Sequence, residues 1–196
     1  MRRLRALVWV LLADEVAGLH LPPSTLVSTP ALTLDVIDPK AKPLYRDGAA
    51  NYLLCYKART STLTAAQLQP DQDIDDADVA IRLCAIDTPL RAVDEHDAVG
   101  TRLLLTDERV NIYEFRLAAG QSCNYHQHGL PYCFVNLSSS LTQALDENAD
   151  AIGPPAFQSA GQCTWVNEEE LSAHGVFNVG DTEFLQFVVE SKHLAV

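Results

Sequence analysis

Three histidines in two distant stretches of the chain are the residues whose types and spacing best suit metal chemistry. His126 and His128 stand two positions apart, and side chains two apart on an extended strand point to the same face. Because neutral imidazole is the commonest metal ligand in proteins, this spacing suits a grip on one transition-metal ion from a single strand. The third histidine, His174, lies at the start of another strand-like stretch, 173–178.

The elements that must position these histidines are predicted to be strands. From Thr101 onward, short apolar stretches recur with turn residues between them, which is typical of an all-β sandwich or barrel. Pro154-Pro155 is predicted to form a loop between two such stretches. The predicted strands cover 31–37, 51–58, 79–86, 102–106, 109–117, 131–137, 141–145, 163–166, 175–179 and 183–190.

Around the histidines the sequence resembles the cupin superfamily. The first cupin motif has a glycine, a spacer of five residues and then HxH, which Gly120, His126 and His128 match. The second motif ends in a histidine that is followed after three residues by asparagine, which His174 and Asn178 match. The resemblance covers about residues 101–190. It implies an all-β fold, a double-stranded β-helix (jelly-roll) barrel with an N-terminal extension.

The resemblance also implies a metal site with fewer ligands than usual. Cupins have a glutamate shortly after HxH, where this chain has Tyr132 or Cys133, so the implied ligands are His126, His128 and His174. Three neutral imidazoles leave the charge of a divalent ion uncompensated and leave coordination positions open, as in catalytic sites. The expected cofactor is a divalent transition metal, iron(II) ahead of zinc, manganese or nickel.

Tyr132 and Cys133 are the candidate catalytic residues beside these ligands. Strand alternation lets only one of them point inward. An inward Tyr132 would orient a substrate or act as an acid or base, whereas an inward Cys133 would be a soft fourth ligand that favours zinc or copper. Because Pro131 can reset the register, the sequence leaves both open, together with the alternative that both are residues of the barrel wall.

The function that these features favour is a metal-dependent enzyme with non-haem iron(II) oxygenase-type chemistry on a small organic substrate. One fold hosts many activities, so a metal-dependent lyase or isomerase is an alternative. A non-catalytic metal- or ligand-binding module is another alternative, which the missing glutamate favours a little. Family analogy suggests a homodimer.

The amino-acid composition limits the classes of partner that this chain is expected to bind. The 196 residues include 26 acidic and 14 basic side chains, a formal net charge of −12. Such a field repels phosphate backbones and anionic lipid heads, so neither nucleic acid nor a membrane is expected as a partner. The length suits one domain with an extension, and we predict an extension over 1–99 that packs on a cupin barrel over 100–196.

The N-terminus contains a candidate targeting signal. Arg2, Arg3 and Arg5 precede an apolar run, 6–13, in the order of a secretory signal. The run is far shorter than the roughly 20 residues that span a bilayer. A short packed or amphipathic helix is slightly favoured over a signal, and a cytoplasmic location over secretion. The five cysteines lack a CxxC pair and are expected to be free thiols.

Overall fold

A computed structural model describes residues 24–28, 32–38, 49–69, 74, 77–86 and 99–192. The predictions for the apolar run 6–13 lie outside these residues. Within the described ranges, no helix is long and apolar enough to cross a membrane. All five cysteines lie in those ranges and are free thiols, as predicted.

The chain forms two compact units. The barrel unit contains residues 99–103 and 113–190. The N-terminal unit contains the described residues between 24 and 86, together with 104–112, 191 and 192. The division of the chain at residue 99 stays a prediction.

The N-terminal unit contains one antiparallel sheet. Its five strands are Ser24–Ser28 (β1), Leu32–Ile37 (β2), Ala49–Lys57 (β3), Thr62–Gln67 (β4) and Val79–Ile86 (β5). Their order across the sheet is β1-β2-β5-β3-β4.

Alternating burial explains why β2 is a strand. Leu32, Leu34 and Val36 are buried, and the residues between them are half-buried, which is the period of two of a sheet with one core face. Asp35 lies opposite Arg82 of β5 and accepts a hydrogen bond from its guanidinium at 2.5 Å. This cross-strand ion pair stabilises the same register of β2 on β5 that buries the two leucines and the valine.

Two further sheets contain the strands of the segment 99–192. These strands are Arg102–Thr106 (β6), Val110–Leu117 (β7), His126–Gln127 (β8), Tyr132–Asn136 (β9), Ser140–Leu145 (β10), Ala151–Gln158 (β11), Cys163–Val166 (β12), Ala173–Asn178 (β13) and Phe184–Ser191 (β14). One sheet has the order β11-β10-β13-β8, and the other has the order β12-β9-β14-β7-β6.

From β8 onward the chain passes repeatedly between these two sheets. Strands β8, β10, β11 and β13 belong to one sheet, and β9, β12 and β14 belong to the other. Side chains from both sheets line one open cavity. This is the arrangement of a double-stranded β-helix, so the predicted all-β jelly roll is confirmed.

Strand β11 corrects the prediction of a loop at Pro154-Pro155. Both prolines lie within the strand. Proline has no N–H to donate to a ladder, so sheets accept it at edges and irregularities. Strand β11 is an edge strand, and its pairing with β10 shifts register between Ile152 and Ala156. The prolines occupy the interval where no ladder bond is required.

Glu114 of β7 is a buried carboxylate that two arginines neutralise. Nε of Arg116 donates to it at 2.5 Å, and Nε of Arg102 at 2.9 Å. Burial by itself would raise the pKa of Glu114, but the hydrogen bonds and charges of Arg116 and Arg102 lower it below its usual value. A carboxyl with a lowered pKa stabilises the fold above its unfolded-state pKa, and this contribution is lost as the pH falls through its folded-state pKa.

Replacing Glu114 with glutamine should lower the free energy of unfolding at pH 7 by about 1–3 kcal/mol, because hydrogen bonds between charged groups are lost. Urea unfolding measures this quantity. The difference from the wild type should shrink below about pH 4, where the carboxyl itself becomes protonated. The control is E147Q at an exposed position, with an expected change within about 0.5 kcal/mol. A difference that persists unchanged at low pH would contradict this account.

Candidate metal centre

The antiparallel pairing of β8 with β13 brings two of the histidines together. In this register His126 lies directly opposite His174. The N–H of Cys123 donates to the carbonyl of Val176 at 2.9 Å and so holds the segment before β8 along the same strand. His128 directly follows β8 and has the same inward orientation as His126, since both are buried.

The three imidazoles offer nitrogen atoms that all lie within 4.8 Å of one another. The Nε2 atoms of His126 and His128 are 3.3 Å apart. Two nitrogens that each lie about 2.1 Å from one ion are separated by roughly 3.0–3.4 Å in octahedral or tetrahedral geometry, so this pair fits a single metal ion. His126 and His128 are 6% and 4% exposed, and His174 is half-buried. The structure therefore brings the three predicted ligands into one sheltered cluster.

Backbone carbonyls determine which nitrogen of two histidines faces the shared space. Nδ1 of His126 lies 2.9 Å from the carbonyl oxygen of Asn124, and Nδ1 of His174 lies 3.2 Å from that of Ser172. A carbonyl only accepts, so each Nδ1 carries the proton and donates. Each Nε2 then presents a lone pair, which is the form of imidazole that binds a metal. The donor set thus fits a divalent transition-metal ion.

Glu190 lies behind His128 and is a residue that the sequence analysis missed. Its side chain is 0% exposed, and its Oε1 is 3.8 Å from Nδ1 of His128. The hydroxyl of Tyr113 is hydrogen-bonded to the same carboxylate. Burial, followed by the charge of Glu190 and this hydrogen bond, raises the pKa of Tyr113 to about 12. The available signal was strand alternation, which places Glu190 on the same face of β14 as Phe184.

His174 is uncharged at neutral pH. Burial, followed by the electrostatic influence of the neighbouring His126 and His128, lowers its pKa to about 4. The hydrogen bond to the Ser172 carbonyl opposes this shift but does not reverse it. Metal binding requires the neutral imidazole, so this environment keeps His174 in the form of a ligand.

Tyr132 faces the histidines, and Cys133 does not. The Tyr132 ring stacks on His128, with centroids 3.8 Å apart and planes 11° apart, and it lines the cavity. Burial, followed by the charge of Glu190, raises the pKa of Tyr132 to about 12, so the phenol stays protonated at neutral pH. Cys133 is fully buried. A hydrogen bond with the thiol of Cys163, followed by burial, raises the pKa of Cys133 well above its usual value. The thiol is not among the groups that line the cavity.

A cavity of about 490 Å³ lies in front of the histidines, between the two barrel sheets. None of its lining residues is Lys, Arg, Asp or Glu. Its polar groups include Gln158, whose Oε1 is buried without a hydrogen-bond partner, and Gln186, whose amide donates to Asn136 at 2.6 Å. Most of the remaining wall is apolar and includes Val99, Phe115, Phe134, Val176, Phe184 and Val188.

The glycine and the asparagine that match the two motifs position the histidine segments. Gly120 has a φ of +75°, a left-handed conformation that glycine adopts without strain, and its N–H donates to the carbonyl of Asn178 at 2.9 Å. The buried Asn178 amide donates to the carbonyls of Leu117 and Thr182 at 3.0 and 2.8 Å. Its Oδ1 accepts from the hydroxyl of Ser140 at 2.7 Å. These bonds tie the turn after β7 to the end of β13.

Comparison with known proteins gives structural matches only. No protein-family model matches the chain, and no curated protein is significantly similar to it. A cupin domain from Bordetella pertussis Tohama I is 23% identical, over 52% of this chain and 99% of that chain, with a TM-score of 0.41. A cupin 2 conserved barrel domain protein from Leptotrichia buccalis is 9% identical, over 93% and 92%, with a TM-score of 0.46. The polyketide cyclase RemF from Streptomyces resistomycificus is 19% identical, over 55% and 75%, with a TM-score of 0.37.

The sheets and the histidine cluster lead to the same conclusion about the fold. Two antiparallel sheets exchange consecutive strands around one cavity. The antiparallel pairing of β8 with β13 brings the three histidines together at its wall. The barrel unit is therefore a double-stranded β-helix with a three-histidine cluster.

Proposed function

We propose that this chain is a metal-dependent enzyme that holds iron(II) through His126, His128 and His174 and performs oxygenase-type chemistry on a small organic molecule. The observation that carries the proposal is the convergence of three imidazole nitrogens, within 4.8 Å of one another, at the wall of a mostly apolar cavity. When bound there, a divalent ion supplies Lewis acidity, and iron(II) also supplies a centre that reacts with oxygen.

The small number of protein ligands supports a catalytic rather than a structural role. Structural zinc sites usually close the coordination sphere with four protein groups, whereas catalytic sites keep a position for water or substrate. In this cluster the candidate ligands are three, and all are imidazoles. The nearest additional ring, that of Tyr132, stacks face to face on His128. The cavity leaves room for a substrate in front of the cluster.

The walls of the cavity favour an uncharged substrate with an apolar body. A phosphate or carboxylate placed away from the ion would lose its hydration without meeting a countercharge, because no lining residue is Lys or Arg. The volume of about 490 Å³ lies within the range of roughly 300–1,000 Å³ that is usual for small-molecule sites.

Tyr132 is the residue of this chain best placed to hold a proton beside the substrate. Its raised pKa, about 12, keeps the hydroxyl a donor at neutral pH. It can therefore orient a substrate oxygen or deliver a proton to charge that develops there. A lyase or isomerase would use the same tyrosine without consuming oxygen, so oxygen uptake separates the two classes.

Replacing any one of the three histidines with alanine should lower the affinity for iron(II) or zinc(II) more than about 100-fold, because losing a ligand exceeds the 10–100-fold cost of losing an outer partner. Elemental analysis of the purified protein and competition with a chelator measure this change. The matched control is Q127A, an exposed position between two of the ligands, which should bind metal like the wild type. Undiminished metal binding in all three histidine variants would refute the ligand assignment.

Nitric oxide should bind to the iron(II)-loaded protein and give the EPR signal of a high-spin iron–nitrosyl, because three ligands leave a position open. The zinc-loaded protein is the control and should give no such signal. An oxygen electrode then follows uptake with a panel of uncharged aromatic and aliphatic compounds. Turnover with bound zinc or nickel and no oxygen uptake would favour a lyase or isomerase. A wild-type protein that binds no metal would favour the non-catalytic module.

Replacing Tyr132 with phenylalanine should leave metal content unchanged and lower oxygen uptake about 10²-fold or more, because the stacked ring remains and the hydrogen-bond donor is lost. The matched control is C133A at the next position, whose thiol faces Cys163 outside the cavity. It should leave the metal content and the EPR signal unchanged. If C133A instead loses metal while Y132F keeps full activity, the two residues have the opposite roles.

A further inference from the structure

We propose that Glu190 is a positioning residue of the metal site, which holds His128 in its metal-binding tautomer and supplies negative charge behind it; the inference rests on the proposed metal-binding function. Carbonyl oxygens of Asn124 and Ser172 hold the Nδ1 protons of the other two histidines. On the Nδ1 side of His128, the carboxylate of Glu190 lies at 3.8 Å. All three imidazoles would then turn Nε2 toward the shared space.

The geometry places Glu190 outside the ligand cluster. The group of side chains whose ligand atoms lie within 4.8 Å of one another consists of the three histidines and does not include Glu190. Its Oε1 approaches the Nδ1 edge of His128, whereas Nε2 of that ring is the atom 3.3 Å from His126. A carboxylate on this edge acts on an ion through the imidazole. It makes the ring more basic and fixes its orientation.

Glu190 is itself held in place from two neighbouring strands. The Tyr113 hydroxyl on β7 hydrogen-bonds to the carboxylate, and this contact helps to raise the pKa of Tyr113. On the other side, Glu190 lies directly opposite Tyr132 in the pairing of β14 with β9. Tyr132, which stacks on His128, and Glu190, which lies behind His128, are therefore directly paired residues of adjacent strands.

The cost of burying Glu190 indicates a role beyond packing. A carboxyl side chain at 0% exposure loses its hydration, and an apolar residue would usually stabilise such a position at least as well. Three neutral imidazoles contribute no charge to offset a divalent ion. A carboxylate one ring away reduces the net local charge and so favours the bound ion over the ion in water.

The test compares two substitutions that separate the acceptor from the charge. E190L removes both and should weaken zinc(II) and iron(II) binding roughly 10–100-fold, whereas E190Q keeps an acceptor for Nδ1–H, loses the charge and should lie between E190L and the wild type. The matched control is E114Q, which neutralises another buried barrel carboxylate that contacts arginines. It should keep wild-type metal affinity. Chelator competition measures these affinities, and far-UV circular dichroism checks the fold.

A second measurement on the metal-free protein keeps this inference separate from the proposed function. Long-range ¹⁵N–¹H NMR at neutral pH should show His128 protonated on Nδ1 in the wild type and shifted toward the Nε2–H tautomer in E190L. If the wild type binds no metal, the proposed function fails, and the tautomer still decides the role of Glu190. A wild-type His128 protonated on Nε2, or an E190L variant with unchanged tautomer and unchanged affinity, would overturn the inference.

Discussion

The candidate site depends on one backbone interaction, the antiparallel pairing of β8 with β13. This pairing sets His126 opposite His174, although the two residues are far apart in the sequence. The ladder is short, and β8 contributes only two residues to it. Side-chain and turn bonds therefore support it, above all the buried amide of Asn178 and the left-handed turn at Gly120. A one-residue slip of β8 would turn His126 away from the cavity, together with His128, which directly follows the strand.

Much of the barrel could be predicted from sequence because its signals are local. Apolar stretches separated by turn residues mark most of the strands, and the glycine and histidine spacings mark the two segments that carry the cluster. Strands β1, β4 and β11 were missed for physical reasons. The first two are short and partly polar, and β11 contains two prolines. Proline excludes a central strand but not an edge strand, and edge position depends on strands distant in sequence.

The side chains around the cluster were harder to predict, because they depend on register. The sequence could not choose between Tyr132 and Cys133, since Pro131 left the alternation of β9 open. The pairing of β9 with β12 and β14 fixes it, with Tyr132 toward the cavity and Cys133 toward Cys163. Glu190 was missed because every residue of β14 is buried, so no burial contrast separates its two faces. The remaining indication is that Glu190 and Phe184 are an even number of residues apart, so both side chains lie on the inward face of β14.

The donor set explains why a cation belongs in this cluster. In the proposed arrangement, in which the His128 proton lies on Nδ1 at the side of Glu190, the Nε2 atoms of His126 and His128 present two lone pairs across 3.3 Å. Two acceptors at that distance repel unless a positive charge lies between them. A proton between these two rings would relieve the repulsion of this one pair only. Near neutral pH a metal ion satisfies all three lone pairs at once, and a single proton cannot.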